Sequence, residues 1–262
     1  SASREDISTR CHVDNTIATV DEVMLWHYPV LRRLISESAV STKRIAVVGA
    51  GVNGVSIATA CASLGHQVQL FDESTPFDQT SSASSRMLHG GIRYIEQGHI
   101  KLVREALIER DGWLRFAPNA TRVERFYFPV YQGSKRGRWL LFAGTLIYQW
   151  LAGRFSVGPS QLHSSEDLKH VFPSLIPQDL CGGASYCDVV MEYEPLIQCL
   201  VDEAGRQGVR IVENTRIERL YSDGRIDTAD QTLEFDRVIN AAGPWAATVS
   251  YTHLRAHETG YN

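Results

Sequence analysis

Residues 44–74 read RIAVVGAGVNGVSIATACASLGHQVQLFDES, and this stretch decides the fold class. Ile45–Val48 is a short apolar run, rich in β-branched residues, of the kind found in buried parallel strands. It leads directly into a G-x-G-x-x-G turn formed by Gly49, Gly51 and Gly54. In this motif the first glycine makes a tight turn, the second admits a pyrophosphate, and the third lets the helix pack close to the strand. The stretch therefore predicts a dinucleotide-binding strand–turn–helix unit.

The residues after the turn continue the same unit in register. Ala58 extends a helix face of small residues, Gly65 ends the helix, and Val68–Phe71 reads as a second strand. Asp72 follows that strand, about 20 residues beyond the turn, where an acidic side chain binds the ribose hydroxyls of a dinucleotide. An acidic residue at this place disfavours a 2′-phosphate. The alternative, a glycine-rich turn that binds nothing, leaves Asp72 as a coincidence.

A second part of the sheet lies far along the chain and favours a flavin over a nicotinamide. A nicotinamide domain normally continues with further alternating strands and helices, whereas here a Ser/Thr-rich loop follows. Residues 210–212, 216–221 and 235–240 read as later strands, and the last one ends in Ala241-Ala242-Gly243-Pro244, a second run of small residues. We predict an α/β fold with a doubly wound, Rossmann-like FAD/NAD-binding domain of discontinuous segments and an inserted α+β region on the substrate side.

Residues 84–110 read SSRMLHGGIRYIEQGHIKLVREALIER and place an unusual segment ahead of a charge-rich helix. A helix needs no His-Gly-Gly run before it. The adjacent Gly90 and Gly91 let the main chain come close to a flat or anionic ligand, because only a residue without Cβ admits so close a contact. This segment is therefore a predicted ligand-binding turn.

These residues resemble the FAD-dependent glycerol-3-phosphate dehydrogenases, within the broader group that includes D-amino-acid oxidase. SSRMLHGGIRY is similar to the S-S-K/R-x-x-H-G-G-x-R-Y motif of that family, and INAAGPW is similar to its A-x-G-P-W segment, so that the resemblance covers about residues 43–245. It implies that the Ser-Ser-Arg run holds the FAD pyrophosphate, that His-Gly-Gly lies against the flavin ring, and that the Arg-Tyr pair faces the substrate. With the glycine turn and the end of the last strand included, the expected cofactor-binding residues are Gly49, Gly51, Gly54, Asp72, Ser84, Ser85, Arg86, His89, Gly90, Gly91, Ala242 and Gly243, and the expected catalytic residues are His89, Arg93 and Tyr94.

The resemblance also implies a reaction. It is hydride transfer from C2 of sn-glycerol 3-phosphate to the flavin of FAD, which yields dihydroxyacetone phosphate, with electrons passed to a quinone or to oxygen. Two alternatives stay open: another oxidase of the same broad group, acting on an amine, an amino acid or a 2-hydroxy acid, and a catalytically inactive nucleotide-binding fragment. A base for the hydroxyl proton and several cations for the phosphate are required in the first case.

Ordinary structural roles compete with these assignments. Arg93 could form a surface ion pair with Glu96 or Glu105, and His89 could be a core histidine hydrogen-bonded to the main chain. The charged run in the following helix is expected to form a solvated face with (i, i+4) pairs; its members are Lys101, Arg104, Glu105, Glu109 and Arg110.

The bulk composition of the 262 residues indicates a globular protein, since 44% of them are apolar. A net charge of −4 gives no reason to expect nucleic acid. The five cysteines form no C-x-x-C pair, which argues against a disulfide framework and a zinc site, so that we expect no metal and a reducing, cytoplasmic setting. The oligomeric state cannot be read from the sequence.

The most apolar segment is WLLFAGTLIYQWLAG, residues 139–153, bracketed by Arg138 and Arg154. A bilayer-spanning helix requires about 20 apolar residues, so this segment is too short to cross a membrane. We expect a buried helix. The alternative is a peripheral contact on the inner face of the membrane, which two tryptophans and flanking arginines would suit.

The domain limits follow from these segments. We expect residues 43–118 and 186–248 to form the FAD-binding domain, and residues 119–185 to be the substrate-side insertion, with a helix that starts at Ser164 or Ser165 and is closed by Pro173. Residues 1–42 form an N-terminal extension without an assigned role.

The last residues of the chain are expected to be artefactual. VSYTHLRAHET, residues 249–259, reads like the in-frame translation of a sequencing adapter. We therefore expect residues 249–262 to be foreign, the natural protein to continue further, and its remaining substrate ligands to lie beyond Trp245. His253 and His257 receive no catalytic role despite their four-residue spacing.

Overall fold

The computed structural model describes residues 41–78 and 84–246. Within them the chain divides into two compact units. The parallel-sheet unit contains residues 41–78, 84 and 197–246, and the antiparallel-sheet unit contains residues 85–196.

The parallel-sheet unit is built around four parallel strands in the order β11-β1-β2-β7. Their bounds, with the first helix, are β1 Arg44–Val48, α1 Val52–Ser63, β2 Gln67–Phe71, β7 Arg210–Val212 and β11 Arg237–Asn240. Ile45, Ala46 and Val47 are completely buried, as the apolar run predicts for a central parallel strand. In register, Val48 is paired with Phe71 on one side and with Asn240 on the other, so the carboxyl ends of three strands lie together.

A three-stranded antiparallel sheet covers one face of this unit. Its strands are β8 Ile217–Leu220, β9 Arg225–Thr228 and β10 Thr232–Glu234. The shared core consists of Ala46, Val48, Phe71, Ile217, Leu220, Ile226 and Phe235. The ring of Phe235 meets that of Phe71 edge to face at 5.9 Å, which closes the core between the two sheets.

The antiparallel-sheet unit is organised by one long strand. Its strands are β3 Met87–Leu88, β4 Thr121–Tyr131, β5 Gln161–His163 and β6 Leu180–Met191, and β6 pairs with all three others. Its helices are α2 Ile100–Phe116, α3 Arg138–Ala152 and α4 Ser165–Val171, and α5 Tyr193–Arg206 begins after β6. Ser164 caps α4 in a capping box with Asp167, which confirms the predicted helix start.

The core of this unit forms where α2 and α3 pack on the sheet. Val103 and Leu107 of α2 contact Tyr148 and Leu151 of α3 and Tyr186 of β6. This packing places α2 in the unit that is bounded at residues 84/85 and 196/197, and the expected domain limits at 118/119 and 185/186 stay a prediction. Sequence patterns mark where a helix or strand begins, but they do not show which elements share a core.

Helix α3 is only half buried, so the expectation of a buried helix is wrong for one of its faces. Tyr148 and Leu151 point into the core, whereas Trp139, Leu140 and Trp150 are 64%, 62% and 77% exposed. The helix carries apolar residues on both sides, and only one side finds a partner within its unit. Among the described residues, none of the helices combines the length and the hydropathy that crossing a bilayer requires.

Candidate functional site

The glycine turn has the geometry of a nucleotide-binding loop. Gly49 has φ of +100° and its N–H donates to the Phe71 carbonyl at 2.8 Å; a Cβ there would come within 2.7 Å of the Ala241 oxygen. A Cβ on Gly54 would overlap the Gly49 carbonyl oxygen, so this glycine allows α1 to approach the turn. Gly51 is the N-cap of α1 and supplies no side-chain cap. The positive end of the helix dipole therefore faces the turn.

Asp72 lies at the mouth of this turn. Its Oδ2 accepts from the Ala50 N–H at 2.5 Å, and its Oδ1 accepts from the N–H and the hydroxyl of Ser74 at 2.9 and 3.0 Å. These bonds hold the carboxylate at the end of β2. Since an ionised carboxylate has about four lone-pair sites, it can also accept from ribose hydroxyls. The turn and the carboxylate thus fit a dinucleotide.

The third strand end presents small residues, as predicted. The Ala241 N–H donates to the Val48 carbonyl at 2.8 Å, and the Ala242 N–H donates to Asn240 Oδ1 at 3.1 Å. Gly243 follows with φ of +56° and is exposed. The chain therefore turns away from β11 next to the glycine turn, without a bulky side chain at the point of exit.

The Ser-Ser-Arg run is exposed. Ser84 belongs to the parallel-sheet unit and Ser85 with Arg86 to the antiparallel-sheet unit. Arg86 has φ of +55°, its guanidinium lies 5.6 Å from the Tyr193 ring centroid, and its carbonyl accepts from the Met191 N–H. Ser85 and Arg86 border a cleft of about 420 Å³ within the antiparallel-sheet unit, which is also lined by Arg122, Val190, Met191, Glu192, Tyr193, Glu194 and Pro195.

The three residues of the His-Gly-Gly turn have different surroundings. His89 is exposed and makes no hydrogen bond to another described residue, so it is not a core histidine. Gly90 is buried, and its N–H donates to the Tyr148 hydroxyl at 2.7 Å. Gly91 has φ of +71° and caps a 3₁₀ turn that carries Tyr94, which is 43% exposed. Both glycines are expected to bring the main chain close to a flavin. The groups that lie against Gly90 in the structure are the side chains of Leu107 and Tyr148.

Arg93 forms no ion pair within residues 41–78 and 84–246. Of the two proposed partners, Glu96 pairs with Arg136 at 2.6 Å and Glu105 with Lys101 at 3.7 Å. The competing explanation of Arg93 as an ordinary surface ion pair is therefore wrong. An exposed guanidinium next to a ligand-binding turn is suited to an anionic group.

A buried polar network was missed by the sequence analysis. Arg110, expected on a solvated helix face, is 2% exposed, and its Nη1 donates to Asp188 Oδ1 at 2.9 Å. Its Nη2 donates to the Phe155 carbonyl at 2.7 Å, and Asp188 also accepts from the Tyr148 hydroxyl at 2.8 Å and from the Val189 N–H at 3.1 Å. Burial, followed by the charge of Asp188, raises the pKa of Tyr148. The only sequence signal was an acidic residue inside an otherwise apolar strand.

The predicted tail lies outside the described residues, and so do His253 and His257. A family model described as FAD dependent oxidoreductase matches residues 44–258 and therefore extends into that tail. This match includes both sequence motifs on which the resemblance rests.

Individual relatives point the same way. The chain is 35% identical over 211 residues to glycerol-3-phosphate dehydrogenase of Pseudomonas tolaasii, with 78% of this chain and 40% of that protein covered. It is 32% identical over 213 residues to D-erythritol 1-phosphate dehydrogenase of Brucella abortus, with 78% and 42% covered. The chain thus spans about two fifths of the length of these relatives.

The fold has solved counterparts. The structure of glycerol-3-phosphate dehydrogenase from Bacillus halodurans, complexed with FAD, matches with a TM-score of 0.56 and 20% identity. The match covers 82% of this chain and 37% of that one. At this identity the likeness concerns the fold.

Proposed function

Because this chain belongs to the family of FAD-dependent oxidoreductases, we propose that it forms the FAD-binding part of an enzyme that oxidises sn-glycerol 3-phosphate to dihydroxyacetone phosphate. The electrons would pass to a quinone or to oxygen. The chain spans about two fifths of its relatives, so the proposal concerns the full-length protein.

One observation supports a phosphorylated substrate: Arg93 is exposed and makes no ion pair within the described residues. A guanidinium presents a planar set of donors that matches a phosphate or a carboxylate, and it attracts a phosphate dianion more strongly because the dianion carries the larger negative charge. The names of two relatives, glycerol-3-phosphate dehydrogenase and D-erythritol 1-phosphate dehydrogenase, also specify phosphorylated polyols. We therefore place a phosphorylated polyol first.

The residues of each unit have separate tasks in this proposal. When bound, FAD supplies the hydride acceptor. In the parallel-sheet unit, the N–H groups of the turn at Gly49–Gly54 bind the pyrophosphate, Asp72 accepts from the ribose hydroxyls, and Ala242 with Gly243 leaves room for the cofactor.

In the antiparallel-sheet unit, we assign the substrate chemistry to the turn after β3. The exposed His89 imidazole takes the proton from the C2 hydroxyl, and Arg93 holds the phosphate. The Tyr94 hydroxyl orients the substrate from the same 3₁₀ turn. Ser85 and Arg86 of this unit, together with Ser84 of the parallel-sheet unit, are assigned to the FAD pyrophosphate region, where a guanidinium and hydroxyl donors are favourable.

The test uses the full-length protein, a reducible dye and four candidate substrates. We expect dye reduction with glycerol 3-phosphate and none with sarcosine or a D-amino acid; erythritol phosphate separates the two polyol specificities. Arg93→Met should raise KM for the polyol phosphate by about tenfold or more, because a charge-assisted contact is lost. Arg115→Met is the matched control, since Arg115 pairs with Asp111 on the outside of α2. Oxidation of sarcosine alone would refute the substrate assignment and favour the amine-oxidase alternative.

An inactive nucleotide-binding fragment is the alternative for the 262-residue chain by itself. It predicts that this chain keeps FAD absorbance after desalting but reduces no dye with any of these substrates. Turnover by the 262-residue chain would exclude this alternative.

We also propose a peripheral membrane contact through α3. Trp139, Leu140 and Trp150 are more than half exposed, and Arg138 and Arg154 flank the helix. Sedimentation with vesicles that contain anionic lipid should fall about tenfold or more for Trp150→Glu, because an indole that inserts into the membrane interface is replaced by a charge. Ile176→Glu is the control, since Ile176 is 69% exposed but lies outside α3. Equal loss in both variants would contradict the contact.

A further inference from the structure

The main chain of the His-Gly-Gly turn is pressed against two helices of its own unit. A Cβ at Gly90 would come within 2.6 Å of Leu107 Cδ2 on α2 and within 2.6 Å of the Tyr148 hydroxyl on α3. Glycine at this position is therefore required by packing within the protein. Its neighbour Gly91 has a different reason, since its φ of +71° lies in the left-handed region.

The hydrogen bond from Gly90 to Tyr148 has only one proton arrangement. The Tyr148 hydroxyl has a single proton, and this proton is donated to Asp188 Oδ2 at 2.8 Å. Its lone pair is then left to accept from the Gly90 N–H at 2.7 Å. Burial and the negative charge of Asp188 keep the hydroxyl protonated by raising its pKa, so the arrangement persists across the physiological range.

The carboxylate that receives this proton is itself fixed. Arg110 and the Val189 N–H both donate to Asp188 Oδ1, at 2.9 and 3.1 Å, and Arg110 is tied to the Phe155 carbonyl. The side chains of Arg110 and Asp188 are 2% and 1% exposed, so water does not compete for these bonds. The order of contacts thus runs from a buried ion pair through Tyr148 to one main-chain amide.

The consequence falls on the next residues. Gly91 directly follows the fixed amide and starts the 3₁₀ turn that carries Arg93 and Tyr94. Its own N–H makes no hydrogen bond within the described residues, so it can donate to a ligand. This N–H belongs to the peptide group between Gly90 and Gly91, so its orientation depends on the backbone angles of Gly90, whose own N–H is held by Tyr148.

We propose that Tyr148 is a positioning residue: held by Asp188 and Arg110, its hydroxyl fixes the Gly90 amide and so orients the Gly91 N–H and the Arg93–Tyr94 turn toward the flavin and the substrate. This inference rests on the proposed function, because it assigns the ligand that the turn meets. A merely structural Tyr148 would stabilise the unit without affecting the ligand.

The experiment compares Tyr148→Phe with Tyr186→Phe in the full-length protein. Both rings lie in one core cluster, 5.5 Å apart, and the Tyr186 hydroxyl makes no hydrogen bond within the described part of the chain. Amide hydrogen exchange over residues 87–95 should show the Gly90 amide exchanging about tenfold faster in Tyr148→Phe and unchanged in Tyr186→Phe. The flavin absorption maximum should shift in Tyr148→Phe alone, and kcat/KM for glycerol 3-phosphate should fall about tenfold in that variant only.

Unchanged exchange at Gly90 in Tyr148→Phe, or equal changes in exchange and flavin absorption in both variants, would overturn the proposal. Should Tyr148→Phe not fold, the wild-type protein still decides, because its Gly90 amide must be at least about tenfold more protected than its Gly91 amide. Failure to oxidise glycerol 3-phosphate in a protein that binds FAD would refute only the substrate. The exchange and absorption measurements would then still test Tyr148.

Discussion

Removal of the negative charge from the buried pair of Arg110 and Asp188 should strongly destabilise the protein. The Nη1–Oδ1 distance is 2.9 Å, and the two side chains are 2% and 1% exposed. Asp188→Asn keeps the side-chain shape but leaves a guanidinium without a counter-charge in a buried site. An arginine cannot lose its proton under such conditions, so the full cost of the uncompensated charge remains.

The expected loss in the free energy of unfolding is about 3–5 kcal/mol, which is typical for a buried pair that loses one partner. A full-length protein as long as its relatives has roughly 500 residues and an unfolding entropy of about 1 kcal/mol/K, so each kcal/mol lowers Tm by about 1 °C and Tm should fall by about 3–5 °C. Thermal unfolding of the full-length protein, followed by circular dichroism, measures this shift. Arg110→Met combined with Asp188→Leu should cost less than the sum of its two single changes, because neither charge is then left alone.

Asp111→Asn is the matched control on the same helix. Asp111 pairs with Arg115 at 3.2 Å, and the arginine side chain is 56% exposed, so we expect Tm to change by less than about 2 °C. Equal shifts for Asp188→Asn and Asp111→Asn, or strict additivity of the buried double change, would refute the reasoning.

Three further outcomes are expected. Gly54→Ala should abolish FAD binding, because the new Cβ overlaps a carbonyl oxygen of the glycine turn. Gly205→Ala, with open space around the new Cβ in α5, should retain FAD and raise the free energy of unfolding by about 0.5–1 kcal/mol. Flavin absorbance after desalting measures the binding, and thermal unfolding measures the stability. Burial lowers the pKa of His163 below 6.5, so this residue contributes stability that is fully present above pH 6.5 and is lost as pH falls through the lowered value. When Tm is measured from pH 8 to 5, it should therefore change less with pH in His163→Gln than in the wild type. Burial raises the pKa of the Cys61 thiol to about 12, so mass spectrometry after iodoacetamide treatment at pH 8 should find Cys61 unmodified and the exposed Cys181 alkylated.

The strand–turn–helix unit could be predicted from the sequence because its determinants are local. Gly49 must adopt a positive φ and Gly54 must lack a Cβ, and both requirements arise from atoms of the same turn or of the strand beside it. The Ser164 cap of α4 is equally local, since its partner Asp167 lies three residues away. Such features are visible in a single stretch of sequence.

The face that α3 buries could not be predicted, because apolar residues occur on both of its sides. Tertiary packing selects Tyr148 and Leu151 for the core and leaves Trp150 exposed. The same packing joins α2 to the antiparallel-sheet unit.

The sequence by itself determined the nucleotide-binding turn, the position of Asp72 and the order of the elements around them, since these depend on the steric needs of neighbouring residues. Only the tertiary structure decided that Arg110 is a buried cation and that the Gly90 amide belongs to Tyr148. Their partners lie 78 and 58 residues away, and a buried charge or amide is stable only where the fold brings such a partner within hydrogen-bonding distance.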